Sequence, residues 1–198
     1  MSELIWSFAP WLLFIMAVRV TNVYVAAGVA GVAAIVVLVR AATRGKAHLF
    51  DVVGVVYFIG LLTLLAILHP SDITTWGRYA QAVAHGSLTV IVFGSVLIGH
   101  PFTESYAREK APPEVWKTPH FHALNRKISL IWGLAFVVGT LSLVFAGATD
   151  SRQVLLRVIV PFGALGYAYT VTGRLTAQAK HATEPSPAQL SSRPGAAG

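Results

Sequence analysis

The stretch Val23-Tyr-Val-Ala-Ala-Gly-Val-Ala-Gly-Val-Ala-Ala-Ile-Val-Val-Leu-Val39 holds no charged residue, and Tyr24 supplies its only polar side-chain atom. As an α-helix it reaches about 25 Å at roughly 1.5 Å per residue, close to the thickness of a bilayer's hydrocarbon. A surface helix of a soluble domain would carry a polar face, and this one has none. Four comparable runs follow: Val52 to Leu68, Tyr79 to Gly99, Ile128 to Ala148 and Val154 to Thr172, each roughly 17 to 21 residues long. A backbone in lipid must satisfy its own hydrogen bonds, so the pattern predicts an all-α, polytopic transmembrane helix bundle.

A further run, Leu4 to Val18, contains Pro10 and stops at Arg19. At about 22 Å it is the shortest. The fold therefore has six spans, or five if this run lies in the interface or re-enters. A cleavable leader is the competing reading. Glu3 in place of a basic start, the bulky Trp6, Phe8 and Trp11, and the lack of a small-residue cleavage site near Arg19 count against it.

Composition agrees, with 55% hydrophobic and 12% charged residues in a chain of 198. That length suits one bundle, residues 1–174, followed by a Pro-rich tail, 175–198, too poor in apolar residues to fold and expected to be disordered in the cytoplasm. The absence of cysteine excludes disulfides, thiolate nucleophiles and Cys-based metal sites. The formal charge of +7 could suggest nucleic acid, but the basic residues gather in gaps between spans. Arg40, Arg44 and Lys46, then Arg108, Lys110, Lys117, Arg126 and Lys127, then Arg174, Lys180 and Arg193 fall on one side, which makes eleven of the fifteen. The positive-inside rule assigns that side, and the C-terminus, to the cytoplasm, so the expected partners are the bilayer and its anionic headgroups. Arg19, Arg78 and Arg157 sit near the other ends as headgroup anchors, and Trp6, Trp11, Trp76, Trp116 and Trp132 suit an aromatic belt.

Ala26, Ala30 and Ala34, with Ala27 and Gly31, form a small-residue face for close helix packing, inside the bundle rather than between copies. Gly60, Gly86, Gly94, Gly133, Gly139, Gly163 and Gly166 invite the same reading, and Pro161 should kink the last span.

Gln81, His85 and Thr89 share one helical face and could line a polar path through the membrane. The alternative is a neutral His85 hydrogen-bonded to a neighbouring helix near the outer end of its span. Haem would need a second histidine at similar depth, and His69 and His100 fall at span ends, so no cofactor is expected.

The inner loop at 100–127 carries the most polar sequence. Pro101 ends a span, Thr103 is placed to cap a short helix with Glu104 in its first turn, Pro112-Pro113 stops it, and Thr118-Pro119 caps the next. Phe102, Tyr106, Val115, Trp116 and Phe121 offer an apolar side to the membrane or to the bundle's mouth. His120 and His122, near His100 and Glu104, have metal-ligand chemistry, but rings two residues apart on a helix point about 200° from each other, so no metal is expected. Ser105, Tyr106, Glu109 and Glu114 compose no catalytic motif, so the chain does not read as an enzyme. Thr103, Glu104, Tyr106, Arg108, Lys110, Trp116, His120, His122, Arg126 and Lys127 instead make a candidate partner or lipid surface.

Phe8-Ala-Pro-Trp-Leu-Leu-Phe14 with Asn22-Val-Tyr-Val-Ala-Ala27 resembles the opening of the intracellular septation protein A-like bacterial inner-membrane family. His69-Pro-Ser-Asp-Ile-Thr-Thr-Trp76, Pro113-Glu-Val-Trp116, Leu124-Asn125 and Trp132-Gly-Leu-Ala-Phe136 match in the same order, while the Pro101-Phe-Thr103 and Tyr106-Ala-Arg108 segment departs from the family pattern. The resemblance implies an inner-membrane protein of the cell envelope, linked to septation through contacts with other membrane proteins. The rival expectation is a small transporter or channel using Gln81, His85 and Thr89.

Overall fold

The computed structural model describes residues 2–67, 70–149 and 154–183. His69, Arg152, Arg193 and the tail from residue 184 lie outside the described residues, as do the side chains of Trp76, Arg78 and Lys180. Every regular element among the described residues is helical: α1 (Ser2–Val20), α2 (Val23–Thr43), α3 (Leu49–Ile67), α4 (Pro70–Leu97), α5 (Thr103–Arg108), α6 (Pro119–Ala148) and α7 (Val160–Thr183). A 3₁₀ turn at Pro113–Val115 precedes α6, and a π-helical turn at Leu155–Ile159 leads into α7. Six of these helices are long and apolar enough to cross a membrane, α1 among them. Pro10 does not break α1, which lies against α2, α3 and α4 and supplies the buried Trp11 and Phe14. The last helix continues through Thr183, past the Arg174 at which sequence reading places the start of the tail.

Helix ends follow local chemistry. Asn22 Oδ1 accepts from Val25 N at 2.9 Å and starts α2. Gly45 (φ +66°) and Gly99 (φ +78°) end α2 and α4 in the left-handed conformation that glycine adopts without strain. The two turns match, Lys46 N bonding Ala41 O and His100 N bonding Ser95 O, each at 2.9 Å.

The bundle is inside-out relative to a soluble protein. On α2, Ala26, Ala27, Ala30, Gly31 and Ala34 are buried, while Val25, Val29, Val32, Val36 and Val39 form an exposed stripe on the opposite face. Small residues let helices approach, and bulky aliphatics face the solvent that tolerates them, lipid. The α2 small-residue face is thus internal: a Cβ on Gly31 would meet Phe58 Cβ at 3.4 Å.

The α4–α6 pair is antiparallel and built on notches. Cβ atoms on Gly133, Gly139 and Gly147 would stand 2.9, 2.7 and 2.6 Å from the rings of Phe93, His85 and Tyr79, so three large side chains of α4 fill three gaps in α6. Gly86 faces Thr140, whereas Gly60, Gly94, Gly163 and Gly166 have nothing within 4 Å, so four of the glycines expected at close approaches are not at them. Phe8 of α1 joins the two halves, stacked on Trp132 at 5.5 Å and packed on Phe50 at 4.9 Å.

Two further expectations change. Trp11 and Trp132 are core residues, not belt residues, since small neighbours such as Gly54 leave volume only a large ring fills; Trp132 Nε1 donates to Thr172 Oγ1 at 3.0 Å. Arg157 turns inward and donates to Ala146 O at 3.0 Å, near the C-terminus of α6 where carbonyls lack helical partners. Pro161 acts through the π-helical turn ahead of it. Val160 N bonds Leu155 O, and the next such bond, to Leu156 O, would need the N–H that proline lacks. Ser142 Oγ supplies the donor from α6 at 2.7 Å.

Candidate functional site

The segment between α4 and α6 is folded onto the basic end of the bundle. Ser95 Oγ accepts from Phe102 N at 3.1 Å, and Phe102 is buried edge-on against Phe50, so the apolar side of this segment rests on the bundle's mouth. Thr103 does not cap α5. Its hydroxyl reaches Asn125 O and Ser129 Oγ, both at 2.9 Å, because Thr103 is buried against α6 as the first residue of α5, with Phe102 at the cap position, and its hydroxyl pairs with the buried polar groups it meets there. Thr118 does cap α6, accepting from Phe121 N at 3.3 Å with Pro119 at the first helical position.

Buried carboxylates fix the rest, since each needs a partner to offset lost hydration. Glu104, 4% exposed, holds Arg108 and, through Oε2, His122 Nδ1 at 3.0 Å. Glu109 Oε1 lies 3.0 Å from Nε2 of the buried His48, whose ring stacks on Tyr106 with centroids 3.9 Å apart. Trp116 Nε1 donates to Ala111 O at 2.8 Å, and the Arg108 guanidinium lies over its ring. His100 and His120 are exposed, so the four-residue metal constellation does not assemble, and no group of three His, Asp or Glu among the described residues could hold a metal. Lys110, Lys117, Arg126 and Lys127 stay exposed around this platform.

His48, Asp51, Glu109 and Ser7 were not expected to meet. His48 N donates to Asp51 Oδ2 at 2.8 Å, the carboxylate half of a capping box, while Asp51 N bonds the backbone carbonyl of His48; the signal for it is the His48-Leu-Phe-Asp51 spacing before an apolar run. Asp51 Oδ1 is buried without a donor. The Tyr106 hydroxyl sits beside Ser7 but short of good hydrogen-bond geometry, and its pKa lies above the ordinary 10.0, chiefly through burial and secondarily through the Asp51 and Glu109 carboxylates. Asp51 and Ser7 line a cleft with Arg40, Arg44 and Lys46, and the Arg40 guanidinium lies 4.8 Å from the Trp6 ring centroid.

Within the membrane span, Gln81, His85 and Thr89 do share one side of α4, but each faces a neighbouring helix. Gln81 Nε2 donates to Ile15 O at 2.7 Å, Thr89 Oγ1 lies 3.4 Å from Thr140 Oγ1, and His85, 1% exposed, packs on Phe136 and against Gly139. Neither ring nitrogen of His85 has a hydrogen-bond partner, so the bond expected to a neighbouring helix is not made and packing on Phe136 and Gly139 holds the ring instead. Comparisons with protein-family models, curated proteins and solved structures give no match to this chain.

Proposed function

We propose that this protein is a non-catalytic scaffold of the bacterial inner membrane, with its C-terminus cytoplasmic, that engages envelope proteins through the platform between α4 and α6. The observation that supports it most is the use of the loop's polar groups. Ser95, Thr103, Glu104, Glu109 and His122 hold the platform in shape, leaving Lys110, Lys117, Arg126 and Lys127 as an outward cationic rim. A septation role rests on the family resemblance carried by Phe8–Phe14 and Trp132–Phe136.

A path for ions or protons along Gln81, His85 and Thr89 is the second reading, favoured by the unpartnered nitrogens of His85 and opposed by its close packing on Gly139. Photo-crosslinking residues placed at Lys110, Lys117 and Arg126 in living cells should capture discrete protein adducts that vanish on charge reversal of the rim. A smear or no adduct at all three sites, together with proton flux in liposomes lost on His85→Ala, would reverse the ranking.

A further inference from the structure

Where α1 begins, α2 ends and α3 begins, a cleft of about 20 Å³ opens at the basic end. On that measure a water molecule needs about 10–15 Å³, so the cleft admits one group of water size and not a phosphate. Its inner wall includes Asp51, 3% exposed, whose Oδ1 has no donor and is closed to a water-sized group, so a ligand in the cleft meets it through a small rotation of the carboxylate. Half-buried Glu3 adds a second carboxylate to the lining. Its rim is cationic, with Arg40, Arg44 and Lys46 all exposed, and half-exposed Trp6 sits at its edge.

The wall and the rim call for opposite chemistry. A buried carboxylate oxygen requires a donor, best a cationic one, and three exposed cations attract an anion. A primary ammonium is close to water in size and carries three N–H donors. A phosphate two carbons away would remain outside, within reach of the guanidinium groups, and the half-exposed Trp6 ring suits the headgroup level of a membrane.

We propose that this cleft binds a phospho-ammonium group, the headgroup of an aminophospholipid, with the ammonium on Asp51 and the phosphate among Arg40, Arg44 and Lys46. The assignment rests on the membrane placement of the bundle and on no protein partner. A choline headgroup fails on two counts, having no N–H donor and three methyl groups too bulky for the cleft. A glycerol headgroup satisfies the rim and brings no charge to Asp51.

The test is native mass spectrometry of the full-length protein in detergent with equal amounts of phosphatidylethanolamine, phosphatidylcholine and phosphatidylglycerol of identical chains. The ethanolamine lipid should be retained over the choline lipid by about tenfold, the effect of one charge-assisted hydrogen bond. Asp51→Asn, which keeps an acceptor for His48 N–H, should abolish that preference, and Arg40→Gln with Arg44→Gln should weaken the ethanolamine and glycerol lipids alike. Displacement by free phosphoethanolamine would assign the site to a soluble ligand of the same chemistry, and failure to displace assigns it to the lipid. Equal retention of all three lipids by the unmodified protein overturns the proposal however the variants fold, as does tightest retention of the glycerol lipid or a preference unchanged in Asp51→Asn.

Discussion

The imidazole of His85 occupies the space that a side chain at residue 139 would need: a Cβ on Gly139 would stand 2.7 Å from His85 Cδ2 and 3.5 Å from Pro161 Cβ. Three helices therefore meet at one notch, and a fully buried titratable group of α4 also serves as the knob that fills it.

Gly139→Ala should destabilise the bundle by about 1–3 kcal/mol, the usual cost of overpacking, only partly offset by the roughly 1 kcal/mol that alanine gains over glycine in a helix. In a His85→Ala background the obstructing ring is gone and most of that cost should disappear. Gly163→Ala, with nothing within 4 Å, should leave the melting temperature unchanged or slightly raised. Thermal unfolding in detergent reads all three. A Gly139→Ala cost that persists in the His85→Ala background would show that the ring is not what occupies the notch.

The Ser142 bond to Leu156 O predicts a coupling across α6 and α7. Ser142→Ala leaves a carbonyl without a donor, at about 1 kcal/mol for a hydrogen bond inside a membrane bundle. Pro161→Ala restores a backbone N–H that can reach the same carbonyl, so the serine should matter less in that background. A double-mutant cycle with additive effects would break the link between the proline and the serine.

The six spans were legible because lipid leaves a coarse signature, uninterrupted apolar runs with cations in alternate gaps, and that signature survives ignorance of packing. The inward Ala26–Ala34 face was legible for the same reason, since small residues at one-turn spacing serve only close contact. What could not be read is which glycines meet a ring. Gly139 and Gly163 look alike in sequence, and only the register of α4 against α6 separates them. The platform was legible as ordered, through Thr118 and Pro119, but its fastening was not. His48 and Glu109 are paired by tertiary approach across 61 positions, and the sequence marks Thr103 as a cap because it cannot show the competing carbonyl of Asn125.

Tyr106 provides a pH test of the platform. Burial first, then the Asp51 and Glu109 carboxylates, hold its pKa above the 10.0 of an exposed phenol. Near and above pH 10 the unfolded chain releases this proton while the folded chain retains it, so the stability the neutral phenol contributes is present below pH 10 and lost as pH rises towards the folded value. Tyr106→Phe keeps the ring against His48 and removes the ionisation. Its stability should fall less steeply than that of the unmodified protein above pH 10, in denaturant titrations repeated across pH. Parallel alkaline limbs would mean that the phenol is hydrated in the folded state.

Orientation follows from where the cations end up rather than from their number alone. Arg40, Arg44, Lys46, Lys110, Lys117, Arg126, Lys127 and Arg174 are exposed at one end of the bundle. At the other end, among the described residues, Arg157 is committed to Ala146 O and Arg19 remains exposed. Exposed cations next to an anionic leaflet contribute about 1 kcal/mol each, so the asymmetry favours one orientation by several times the thermal energy. The chain has no cysteine, so single substitutions report cleanly. Thr149→Cys should react with a membrane-impermeant maleimide in intact cells, and Lys110→Cys only after permeabilisation. The reverse pattern would place the platform outside the cytoplasm and remove every cytoplasmic partner from consideration, while labelling of both sites in intact cells would mean that the bundle inserts in two orientations.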